Sequence, residues 1–201
     1  MAKDSSDSSS PQNTSVRTIP RDTDPADFPK ALAARVGDRD LWIANIGAIR
    51  SNHLAAMDLD PAFVVTVNDT ATWATTDHHP LKDGHINAQD KFSAAVEATR
   101  RNIRAEGTVV VNCSAGISRS ATVIATAIAA EETISLEAAI EAIQATRPRA
   151  NPHPKLQLNA YAYLAVAADR PAAREKLDEL AGSSAIRVDK ETILEELLPE
   201  N

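Results

Sequence analysis

Cysteine is almost missing from this chain, and Cys113 is the only one it has. That excludes an internal disulfide and a cysteine-rich structural zinc site, and it suits a reducing compartment. Aromatic residues are also scarce, with two Trp, two Tyr and three Phe. No basic cluster interleaves with them, so nucleic acid is not an expected partner. Long apolar runs are absent too: the longest, Ala121 to Ala130, holds ten residues and is too short and too rich in Thr and Ala to span a bilayer. Residues 1–10 show neither the basic nor the apolar region of a signal peptide. The expected location is therefore the cytoplasm, with no membrane partner. A P-loop, a dinucleotide fingerprint and an internal repeat are lacking as well.

Charge is plentiful but unevenly placed. The chain carries 21 basic and 28 acidic residues for a net −7; residues 31–168 hold 12 and 14 of these, and residues 169–201 hold 5 and 9. Acidity gathers in the C-terminal segment, so the body has no field that would repel an anionic ligand. Residues 1–30 collect serines and prolines without apolar periodicity and read as a disordered lead. Residues 31–168 carry the strong periodic signals and read as one folded domain, and residues 169–201 read as an acidic helical extension. In that extension Val188–Leu198 places Ile193, Leu194, Leu197 and Leu198 at helical spacing. Docking of this helix on its own domain is favoured over capture of a partner.

Strand patterns occur at Leu41–Ile46, Ala62–Asn68 and Thr108–Asn112, with a weaker one at Trp73–Thr76. Helical patterns occur at Asn52–Leu59, Asn87–Ala105, Arg119–Glu131, Ser135–Thr146 and Pro154–Ala168. Helices alternating with short apolar strands predict an α/β fold, a central mixed and mostly parallel sheet flanked by helices in three layers. Such sheets bind ligands beyond the carboxyl ends of their strands, and Thr108–Asn112 has such an end.

At that end lies Cys113-Ser114-Ala115-Gly116-Ile117-Ser118-Arg119, between Val109-Val110-Val111 and the helical Ala121-Thr122-Val123-Ile124-Ala125. Five residues between cysteine and arginine let a loop curl around one tetrahedral anion. Its N–H groups, unpaired at a helix start, then point at the oxygens. Ser114, Ala115, Gly116, Ile117 and Ser118 bring no side-chain charge, and Gly116 permits positive φ and close approach of the backbone. Arg119 can lay its planar fork across two oxygens, as a lysine cannot. A cysteine reacts as thiolate, and a helix N-terminus and a nearby arginine both lower its pKa. The reading is a phosphate cradle with a nucleophile at its floor; a small buried cysteine and a solvated arginine are the bland alternative.

The segment from Asn112 to Ser120 resembles the signature of the cysteine-dependent dual-specificity protein phosphatases, His-Cys-x5-Arg-Ser/Thr, in the protein-tyrosine phosphatase superfamily. The resemblance extends to Leu136-Glu137-Ala138-Ala139-Ile140, to Arg147-Pro148-Arg149-Ala150-Asn151-Pro152, and upstream to Leu41–Gly47 and Phe63–Asn68. It implies a phosphatase II-like architecture, with 31–168 as the catalytic domain and no cofactor. It also implies hydrolysis of a phosphorylated protein through a phosphocysteine on Cys113. Phosphotyrosine is the first substrate class, with phosphoserine and phosphothreonine as further ones. Ser120, directly after the arginine, would help the thiolate leave in the second step; an ordinary first-turn serine is the alternative. One position departs, because Asn112 stands where the family has histidine. Asparagine can hydrogen-bond loop backbone but carries no positive charge, so it is expected to support the loop while leaving the Cys113 pKa less depressed. The departure keeps a second reading open: a weakly active or non-catalytic phosphoprotein-binding module that retains the loop.

Displacing an alcohol or phenol from phosphorus needs a proton on the leaving oxygen. In the resembling family an acid about 30 residues before the cysteine supplies it, and Asp83 stands at 113 − 83 = 30, between Lys82 and Gly84. Asp77, ahead of Pro80, and Asp90, at the start of a helical pattern, compete with it. His53, His78, His79, His85 and His153 invite a metal reading, since three lie within eight residues. Adjacent His78 and His79 would point apart in an extended segment and no second cysteine supports them, so no metal is expected. Nothing in the sequence speaks to the oligomeric state.

Overall fold

Three consecutive valines, Val109 to Val111, are apolar on both faces of an extended chain, the pattern of a strand covered on both sides. The computed structural model describes residues 18–19, 31–51, 53–184, 186, 188 and 190–198. Its strands in chain order are β1 (Thr18–Ile19), β2 (Ala33–Arg35), β3 (Leu41–Asn45), β4 (Phe63–Thr66), β5 (Ala71–Thr72), β6 (Asp77–His78) and β7 (Val109–Cys113). The valines fall in β7, the middle strand of a sheet ordered β2-β3-β7-β4-β6. β7 runs parallel to β3, with Asn45 opposite Cys113, and parallel to β4, with Thr66 opposite Asn112. β6 joins β4 in parallel and β2 joins β3 antiparallel, so the sheet is mixed and mostly parallel. β1 pairs in parallel with β5.

Alternation along β7 divides the core. Val109, Val111 and Cys113 point into a large cluster with α3 (Gln89–Arg104), α4 (Arg119–Glu132), α5 (Leu136–Thr146) and α6 (Pro154–Val166). Val110 points the other way, to Ala44 and Val64 of the sheet and to Ala48, Ile49 and Leu54 of α1 (Ile46–Arg50) and α2 (His53–Ala56). Helices therefore cover both faces, and the three-layer α/β fold expected from the sequence is the one observed. α4 is enclosed, with Arg119 to Ala129 all buried. Its Ile124 and Ile128 each contribute about 1.5–3 kcal/mol by leaving water. The buried hydroxyls of Thr122 and Thr126 donate back to Ser118 O and Thr122 O, at 2.8 and 2.7 Å, so a polar helix start survives inside the core.

Most expected elements are found within a residue or two of their limits, and the differences have local causes. Trp73–Thr76 is a turn rather than a strand. Its threonines spend their hydroxyls on nearby backbone: Thr75 Oγ1 accepts from Thr72 N at 2.8 Å and Thr76 Oγ1 from Val64 N at 2.9 Å. β1, β2, β5, β6 and α1 have no counterpart among the expected elements. α1 begins where Asn45 Oδ1 accepts from Ala48 N at 2.9 Å, a side-chain cap that stops β3 one residue early. Position 52, the expected start of the first helical pattern, lies outside the described residues. So does the expected lead at 1–30, apart from Thr18–Ile19. In the C-terminal segment α7 (Pro171–Ala181) and α8 (Lys190–Leu197) bury Leu177, Ile193 and Leu197 in the same cluster as the sheet valines. No helix among the described residues is long and apolar enough to cross a membrane.

Candidate active site

β7 delivers Cys113 to the face that receives α4, and residues 114–118 turn the chain from one into the other. Gly116 has φ +62°, and a Cβ there would sit 3.0 Å from the carbonyl carbon and oxygen of Ala44. The turn thus needs glycine for conformation and for space. The outer side of the loop is held by its carbonyls. Arg147 donates from Nε to Gly116 O at 3.2 Å and from Nη2 to Ala115 O at 3.3 Å, and Asn151 N donates to Ile117 O at 2.9 Å. On the inner side the N–H groups of Ile117 and Ser120 reach the Cys113 sulfur.

Cys113 is 2% exposed, and its Sγ lies 3.2 Å from Ser120 Oγ. Burial pushes the thiol up. The Ser120 hydroxyl, the N–H groups of Ser120 and Ile117 and the Arg119 charge outweigh it and hold the thiol below its ordinary value. Arg119 is buried and aimed by two acceptors: Nη1 donates to Leu81 O at 3.0 Å and Nη2 to Ser114 Oγ at 2.9 Å. Its Nε is buried without a partner. A buried, unsatisfied guanidinium N–H beside a thiol held down by backbone donors is what an anion would complete. Ser114 passes its own proton to Asn68 Oδ1 at 2.7 Å, which ties the loop to the end of β4.

Of the three aspartates, only Asp83 reaches the loop. Its Oδ1 accepts from Ser118 Oγ at 2.7 Å and from Gly84 N at 3.1 Å, and the residue is exposed. Asp77 is committed elsewhere, with Oδ1 2.5 Å from Arg101 Nη2 and Oδ2 3.0 Å from Asn102 Nδ2 on α3. Asp90 sits in the first turn of α3. Asn112 does not support the loop as expected. Its Nδ2 donates to Thr66 Oγ1 at 2.9 Å and Val65 O at 3.3 Å on β4, and its Oδ1 is buried without a partner. The reason is alternation: position 112 follows Val110 to the sheet face opposite Cys113. The histidines do not converge, and among the described residues no group of three or more His, Cys, Asp or Glu could hold a metal. His78 Nε2 pairs with Asn68 O at 2.9 Å, and His85 Nδ1 with Asp83 O at 2.8 Å.

The model of the dual specificity phosphatase catalytic domain matches residues 45–163. The chain belongs to this family. Solved structures of similar fold include human DUSP28, at 21% identity and TM-score 0.56, covering 73% of this chain and 95% of that one. The Yvh1 phosphatase domain from Chaetomium thermophilum aligns at 17% identity and TM-score 0.57, covering 68% and 97%. The human tyrosine phosphatase-like serine/threonine/tyrosine-interacting protein aligns at 17% and 0.55, covering 67% and 97%. At these identities the likeness is one of fold, that of the protein phosphatases. Among curated proteins none matches. The matched span runs from the residue that caps α1 to Tyr163 in α6, so it holds the Cys113–Arg119 loop, Asp83 and Arg147.

Four residues at the site received no role from the sequence, although Arg147 and Asn68 lie in segments that resemble the family. Arg147 lies 28 positions beyond Arg119 (147 − 119 = 28) and reaches the loop only through the packing of α5 and α6 against α4. Leu81 contributes a carbonyl, which no side-chain pattern reports. Asn68 and Asn159 are single amides; Asn159 is fully buried on α6 and accepts from Asn87 N at 2.9 Å. An asparagine in an otherwise apolar helical face was the one signal available for it.

Proposed function

We propose that this protein is a phosphatase that hydrolyses phosphorylated proteins through a phosphocysteine on Cys113. One observation carries the reading: the loop that holds the depressed thiol and Arg119 also holds a carboxylate, Asp83, by a 2.7 Å bond from Ser118 Oγ. In the first step the Cys113 thiolate attacks phosphorus and the bond to the leaving oxygen breaks as Asp83 gives that oxygen its proton. The N–H groups of residues 114–118 and the Arg119 guanidinium bear the charge on the three equatorial oxygens. In the second step water attacks phosphorus, Asp83 takes its proton, and the sulfur–phosphorus bond breaks while Ser120 donates to the departing thiolate. No step calls for a metal or a cofactor. Phosphotyrosine is the first substrate class, and phosphoserine and phosphothreonine follow it.

A binding-only module is favoured by one feature, Asn112 in place of histidine. Against it stand the acid at the loop and Ser120 at the sulfur, groups that turnover uses and binding does not. Steady-state hydrolysis of p-nitrophenyl phosphate in excess chelator tests the reading. Turnover that persists in chelator and is lost to iodoacetate and vanadate is expected. Absence of turnover under all conditions would leave the binding module.

A further inference from the structure

We propose that the Ser118 side chain is a positioning residue for Asp83, fixing which carboxylate oxygen faces the leaving group. The inference rests on Asp83 being the acid, as proposed above. Ser118 occupies the N-cap of α4, where a serine hydroxyl ordinarily accepts an N–H from the first helical turn. Here it makes no such bond. Its Oγ instead donates to Asp83 Oδ1 at 2.7 Å and accepts from His153 N at 3.2 Å, at the start of α6. A helix cap has been diverted to the acid, and the hydroxyl is itself aimed by a backbone donor.

The base of the acid-bearing segment is held independently. Asn87 Oδ1 accepts from Lys82 N at 2.8 Å, and Asn87 Nδ2 donates to Lys82 O and His85 O at 3.1 and 3.2 Å. Asn87 in turn exchanges two bonds with the buried amide of Asn159: its N donates to Oδ1 at 2.9 Å and its O accepts from Nδ2 at 2.8 Å. That clamp sets where the backbone of residues 82–87 lies. It does not set the torsions of the exposed Asp83 side chain at the tip. Ser118 does, because both bonds to the carboxylate, from Ser118 Oγ and from Gly84 N, end on Oδ1. Oδ2 is left to carry the proton to the leaving oxygen and to take one from water afterwards. This role belongs to the hydroxyl alone; the Ser118 backbone N–H survives any substitution except proline.

The test is kcat/KM for a series of phosphate monoesters, from p-nitrophenyl phosphate to an alkyl phosphate, on wild type, Ser118→Ala, Ser118→Thr, Asp83→Asn and the double variant. An acid matters most when the leaving group is basic. Ser118→Ala should therefore lose about tenfold more on the poorest leaving group than on the best, as misplacement of a catalytic group does. Ser118→Thr, which keeps a hydroxyl, should recover most of that difference. In the Asp83→Asn background Ser118→Ala should add no further steepening, because the two act as one unit. A Ser118→Ala variant that lowers every substrate by the same factor, or a double variant steeper than Asp83→Asn, overturns the positioning role. An Asp83→Asn variant with unchanged leaving-group dependence removes Asp83 as the acid and this inference with it, whereas an inactive wild type overturns the function reading itself.

Discussion

Removing the Ser120 hydroxyl should weaken the nucleophile before it weakens anything else. Ser120 is fully buried, with its Oγ 3.2 Å from Cys113 Sγ, and it is the strongest of the contacts that lower the thiol against the opposing effect of burial. A hydrogen bond to a charged group is worth about 1.5–3 kcal/mol. Ser120→Ala should therefore reduce the thiolate population at a given pH below the wild-type pKa by roughly ten- to a hundredfold. The sign follows from the donor's role: a donor to the thiolate favours the charged form, so its loss raises the thiol pKa and moves the acid limb of kcat/KM to higher pH. The same loss should slow breakdown of the phosphocysteine, because the departing sulfur no longer receives a proton donor. Iodoacetate inactivation measured across pH reads the first effect, and a burst of phenol release ahead of slow turnover reads the second. A thiol pKa equal to that of wild type in Ser120→Ala would refute the reasoning and leave the loop N–H groups and Arg119 as the source of the depression.

Asp77→Asn should keep the wild-type leaving-group dependence and lower Tm, because its carboxylate serves Arg101 and Asn102 on α3. A partly exposed ion pair with one further bond supports about 1 kcal/mol, or roughly 2–4 °C by thermal unfolding in a chain of this size. A steepened leaving-group dependence would transfer the acid role to Asp77. Gly116→Ala should lose roughly 1–2 kcal/mol of stability from its positive φ alone. Its added Cβ also displaces the loop from Ala44, so vanadate affinity should fall about tenfold or more; calorimetric titration showing wild-type affinity would mean that the turn does not shape the anion site.

The centre of the fold was legible because it is locally redundant. Val109 to Val111 are apolar on both faces, Gly116 punctuates the loop, and Ser135 accepts from Ala138 N at 3.1 Å to start α5 as a serine at that spacing should. β2, with three residues and exposed or half-buried side chains, has no such pattern and exists by pairing with β3. Trp73–Thr76 misled because β-branched threonines suit strands until their hydroxyls find backbone partners. In the site, Cys113, Arg119 and the loop follow from local spacing, whereas Arg147, Leu81 O and Asn159 act across the fold. The misplacement of Asn112 was avoidable. Neighbours in a strand point to opposite faces, so a side chain directly before Cys113 in β7 cannot share its side of the sheet.

Capture of the covalent intermediate tests most directly whether this loop does chemistry. Wild-type protein quenched during turnover of a ³²P-labelled aryl phosphate should retain label that is stable to acid, released by iodine, and located by peptide mapping on Cys113. Cys113→Ser, which keeps the N–H cradle and Arg119, should carry none while still binding vanadate. Label on another residue, or turnover undiminished in Cys113→Ser, would contradict a phosphocysteine mechanism outright.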